Sequence, residues 1–157
     1  MDYTIHKHDA EEVLASWGPV VIRVLRGVET RAVDIDDACT LFEALLERYP
    51  AITCVAVVEH GTPIPSPEIR RYSAERFGSF GSRLVIGIVF LGLGFWASTS
   101  LAAAALVMRL VRQDIIVETS VEALTTKLAL EFVGLDGEGL AATIEALRAD
   151  HGLARVD

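Results

Sequence analysis

Apolar and polar positions follow two different periods along this chain, and the changes of period mark out its elements. Between residues 34 and 49, Ile35, Ala38, Cys39, Phe42, Leu45, Leu46 and Tyr49 recur at steps of three and four. Asp34, Asp36, Asp37, Glu43, Glu47 and Arg48 take the opposite side. That spacing predicts an amphipathic helix. Its acidic start suits the positive end of a helix dipole, and Pro50 ends it. Residues 52–58 and 84–91 are short, almost wholly apolar runs, the pattern of strands covered on both faces. Residues 3–8 and 20–26 also read as strands, with Trp17-Gly18-Pro19 as the turn before the second. Residues 11–16 suggest a further short strand folded back across that turn.

Downstream, Ser66 is placed to cap a helix whose first residue is Pro67 and which runs towards Phe80, turning Ile69, Tyr72, Phe77 and Phe80 inward. Gly92 and Gly94 bracket a turn before an alanine-rich helix over 96–112, and residues 115–118 form a short strand. Thr119 and Glu122 make a capping box for a helix burying Val121, Leu124, Leu128 and Phe132. A last amphipathic helix, about 138–150, carries Leu140, Ile144 and Leu147. The order β-β-α-β-α-β-α-β-α plus a C-terminal helix predicts an α/β fold. The expectation is one domain over 1–157, a mostly parallel or mixed sheet of four to five strands with helices packed on it. Its core spans about 3–133, and the C-terminal helix is an addition.

The run 84–108 carries no charge and lies between Arg83 and Arg109. It is long enough to span a bilayer. However, its first third is β-branched and aromatic, Gly92-Leu93-Gly94 interrupts it, and Ser98-Thr99-Ser100 follows. A strand, a turn and a helix set end to end account for it better, so membrane association is not expected. Gly92, Gly94 and Ala97 also fit G-x-G-x-x-A, with Asp114 or Glu118 downstream where a ribose-binding acid would stand. Against that, Phe95 and Trp96 occupy the turn where a phosphate needs room. A nucleotide or lipid site at the strand ends beside Gly92 and Gly94 is the alternative reading; a membrane anchor at 84–108 is a second. The predicted helix after the turn is apolar nearly all round, including Trp96, Leu101 and Met108. A sheet buries only one stripe of a helix, so a homodimer is expected to cover the rest.

The 157 residues are 52% apolar with a net charge of −8 and no basic run. Counterion displacement on nucleic acid needs cations, so nucleic-acid binding is not expected. The start of the chain has no basic stretch leading into an apolar one, and Cys39 and Cys54 read as reduced core thiols of a cytoplasmic protein. His6 and His8 share a strand face, but two ligands do not make a zinc site, and no metal is expected. No cofactor is expected either. His60 stands in a loop after a strand, without a nucleophile or acid that spacing assigns to it, and the chain is expected to be non-enzymatic.

The element order, and the strand-loop-helix stretch from Ile52 to Phe80 in particular, resembles the STAS-type fold of anti-anti-sigma factors and related bacterial domains. The resemblance is one of topology and covers most of residues 3–133. It implies a signalling domain that acts by binding another protein, with a phosphorylated hydroxyl at the start of the second helix. Thr62-Pro63-Ile64-Pro65-Ser66-Pro67 stands where that family carries an Asp-Ser-Ser-Gly-like signature. Ser66, and less well Thr62, would inherit the phosphoacceptor role. The implied interaction surface combines Glu59, His60, Arg70 and Arg71 with Trp96, Leu101 and Met108.

Overall fold

The computed structural model of the chain describes residues 2–92 and 115–150. One six-stranded sheet organises them, and its strands lie side by side in sequence order. β1 (Thr4–His8), β2 (Glu12–Trp17) and β3 (Val20–Leu25) form an antiparallel meander. From β3 the sheet continues in parallel through β4 (Ile52–Val58), β5 (Leu84–Phe90) and β6 (Ile115–Glu118). The expected four to five strands are thus six. The short strand expected over 11–16 is fully formed and pairs on both sides, because the turn at Gly18, with φ of 55°, closes β2 onto β3.

Parallel neighbours need crossovers, and those after β3 and β4 carry α1 (Ala32–Leu46) and α2 (Pro67–Gly78) to one face of the sheet. There Ile35, Phe42 and Leu45 pack with Phe77 over Val21, Cys54 and Ile86. The rings of Phe77 and Phe80 meet Phe42 at 5.3 and 5.4 Å between centroids. The opposite face is covered by α3 (Val121–Glu131) and α4 (Gly137–Asp150). Leu140, Ile144 and Leu147 of α4 are fully buried over Val13, Ala15, Val20, Ile22 and Val24 of the β2-β3 hairpin. The C-terminal helix therefore supplies part of the core on this face.

Ser66 caps α2 as its sequence suggests, its hydroxyl accepting from the Ile69 N–H at 3.3 Å. At α3 the cap is Ser120, which accepts from Ala123, and not Thr119; two adjacent hydroxyls compete and the second lies in register with the first turn. The uncharged run begins as β5, bonded to β4 and β6, so it is not one continuous helix. Among the described residues no helix is long and apolar enough to cross a membrane. The helix expected over 96–112 lies outside the described residues.

Candidate functional site: an apolar cavity over a buried arginine

Strand geometry builds the floor of the site. Alternate residues of β3, β4 and β5 face α1 and α2, and the register aligns Arg23, Ala56 and Ile88 in one row across the sheet. Leu25, Val58 and Phe90 form the next row. Ile35 from α1 and Ile69, Ser73 and Phe77 from α2 form the walls. Thr62, Pro63, Ile64 and Pro65 come from the loop that leads into α2. These side chains enclose a partly open cavity of about 150 Å³. Its lining is mostly aliphatic and aromatic. The exceptions include two guanidiniums, Arg23 and Arg70, and among the described lining residues there is no carboxylate.

Arg23 is the unusual residue. It interrupts the apolar strand Val-Val-Ile-Arg-Val-Leu and is only 4% exposed. Its Nε donates to Glu12 Oε1 at 2.9 Å, and Glu12 is equally buried at 4%. Glu12 also accepts from Lys7 Nζ at 3.3 Å, and Lys7 donates to Asp34 Oδ1 at 2.8 Å. Asp34 in turn accepts from the Arg31 N–H at 2.9 Å and from the Arg31 guanidinium. Cations and anions thus alternate along a line that starts at the buried cavity floor, passes through half-buried Lys7 and ends at exposed Arg31 beside the first turn of α1. Arg23 Nη2 is buried and has no hydrogen-bond partner among the described residues.

The titration behaviour follows from this line. Burial alone would raise the Asp34 pKa, but hydrogen bonds from Arg31 and Lys7 outweigh it and hold the carboxyl well below the usual carboxylate range. Burial alone would lower Lys7, yet its bond to Asp34 and the charge of Glu12 lift it above an ordinary lysine. Arg23 is likewise pulled down by burial and raised on balance by Glu12, so it stays charged. Burial pushes the Cys54 thiol on the cavity floor up to about 12, and Cys39 up to about 11. Both are neutral thiols near pH 7 and poor nucleophiles.

The residues singled out from sequence fall in several places. Ser66 is half-buried, and its own N–H donates to Glu29 Oε1 at 2.8 Å. A phosphate there would meet a carboxylate, which disfavours the added charge. Thr62 is buried, and its hydroxyl donates to the Glu59 carbonyl at 2.7 Å, so it forms part of the loop's frame. Glu59 is itself buried, paired with Arg148 of α4 rather than offered at the surface. The hydrogen bond from Arg148 is mirrored in a guanidinium pKa raised first by that contact. Arg70 is half-buried at the cavity, donating to the Pro65 carbonyl at 2.8 Å. His60 and Arg71 are exposed. Gly92 lies two residues beyond the end of β5, with φ of 137°. Gly94, Trp96, Leu101 and Met108 lie outside the described residues. His6 sits on the exposed edge strand and shares a 2.8 Å hydrogen bond with Ser16 Oγ.

Sequence reasoning passed over Arg23 and Glu12. The signal was present: one charge alone in each of two apolar strands, at positions that antiparallel pairing brings within reach of each other. The chain matches no protein-family model and no curated protein.

Proposed function

We propose that this chain is a ligand-binding domain that takes a small, mostly apolar molecule into the cavity between the sheet and α2. The cavity itself carries the reading. Protein interiors are close-packed and leave few voids larger than a water molecule. A hollow of about 150 Å³ lined by isoleucine, valine, proline and phenylalanine is the size that accepts a benzene-like guest. Its floor runs along β3, β4 and β5 from their middle residues to their C-terminal ends, the end of open α/β sheets that binds ligands. A nucleotide is too large and too polar for this lining, so the apolar version of the small-molecule reading is preferred.

Thermal unfolding in the presence of apolar probes such as toluene tests the reading. A guest held only by the folded state, at a hundred times its Kd, adds about 2.7 kcal/mol and raises Tm by roughly 5–10 °C in a domain of this size. Ala56→Leu fills the floor from a half-buried position and should abolish the shift. Ser73→Phe does the same from α2 and serves if the first variant folds poorly. Absence of any shift with apolar probes, or an equal shift in a well-folded filled variant, overturns the proposal.

A further inference from the structure

Resting on that reading, we infer that the molecule bound in the cavity carries a carboxylate, and that Arg23 holds it. Three observations converge. The chain has a net charge of −8, yet the described residues around the cavity include two guanidiniums and no carboxylate. Arg23 is only 4% exposed, and its Nη2 has no acceptor among the described residues. An unmet N–H on a buried charged group is among the most unfavourable polar arrangements in a protein interior. Lastly, Glu12 engages Arg23 through Nε and is itself shared with Lys7. The guanidinium fork therefore retains one donor that no described residue meets. A small rotation of the Arg23 side chain, which lines the cavity, would turn this closed-off Nη2 towards a second carboxylate, a group that planar forks recognise well.

Geometry limits the rest of the molecule. Arg23 lies in the same sheet row as Ala56 and Ile88. A carboxylate meeting Arg23 thus points its apolar part over Ile88 and Phe90 towards Ile69 and Phe77 on α2. The volume suits one ring or a short branched chain, a molecule about the size of benzoate. Arg70, tethered to the Pro65 carbonyl at the loop, adds a second positive charge at the wall. It draws an anion towards the cavity without being the group left unpaired within it.

Benzoate and toluene differ by a carboxylate in place of a methyl on the same ring, and calorimetric titration of the purified chain with each separates the two proposals. The wild type should bind benzoate at least tenfold more tightly than toluene. Arg23→Met keeps the stem but removes the donor, so it should lose that preference while still binding toluene. If Arg23→Met fails to fold, Arg23→Lys keeps the charge beside Glu12 without Nη2 and should lose the preference too. Equal affinity of the wild type for the two probes overturns the carboxylate inference and leaves the cavity reading standing. Binding of neither probe overturns the cavity reading itself. A benzoate preference that survives in Arg23→Met and vanishes in Arg70→Met overturns the assignment to Arg23.

Discussion

Removing the carboxylate of Glu12 should cost more stability than removing the guanidinium of Arg23, although the two form one ion pair. In Glu12→Gln, Arg23 remains charged and 4% exposed with no anion beside it among the groups it touches. Breaking a buried pair from one side typically costs about 3–5 kcal/mol. Glutamine keeps an oxygen for Arg23 Nε, which brings the expectation to about 2–4 kcal/mol. In Arg23→Met the other partner is not abandoned, because Lys7 Nζ lies 3.3 Å from Glu12. The unpaired Nη2 also disappears, and the cost falls to about 1–2 kcal/mol. The double variant should cost less than the sum of the two by about 1–3 kcal/mol. Urea unfolding at pH 7 measures all three, provided the m-value is unchanged between variants. For a domain with a total stability of roughly 5–15 kcal/mol these are large effects. Equal costs for the single variants, or strict additivity in the double, would refute the buried Arg23–Glu12 pair and its link to Lys7 as described.

Two further expectations follow from other parts of the fold. Asp34 titrates below its ordinary value of 3.8 in the folded chain, so its contribution is complete above about pH 4. That contribution is lost as the pH falls towards the folded value. Asp34→Asn should therefore be destabilised at pH 7 by an amount that shrinks steadily below pH 4 in denaturant titrations, and a gap independent of pH would count against the role of its ion pairs. Gly87 lies mid-strand in β5, where an added Cβ would stand 2.9 Å from one Leu124 methyl and 3.2 Å from Leu128. Both leucines are fully buried, so Gly87→Val should lower stability by about 2–3 kcal/mol, and unchanged unfolding would show that α3 yields freely.

Local features were the most legible in the sequence. β4 and β6 lie within the bounds that their apolar runs suggest, and Pro67 behind Ser66 marked the start of α2 because capping chemistry is decided within a few residues. Relations between distant residues were not legible. The stripe of Leu140, Ile144 and Leu147 could be read, but not that it covers a hairpin more than a hundred residues earlier. A charged side chain usually faces solvent, so Arg23 and Glu12 carry no local sign of burial, which depends on the pairing of β2 with β3. The cavity was hidden for the same reason: it belongs to no element, and arises where β3, β4, β5 and α2 fail to fill the space between them.

The placement of α4 also bears on how this protein comes to be folded during synthesis. The β2-β3 hairpin is made more than a hundred residues before α4, yet Leu140, Ile144 and Leu147 are needed to shield one side of it. Arg148 and Glu59 are 89 positions apart, and Tyr3 bonds to Asp150 across 147. A nascent chain released only as far as Gly134 therefore holds Val13, Val20, Ile22 and Val24 against water or against another chain. Cooperative closure waits on the late helix, and the interval before it arrives is when an emerging copy is most exposed to self-association and to chaperone capture.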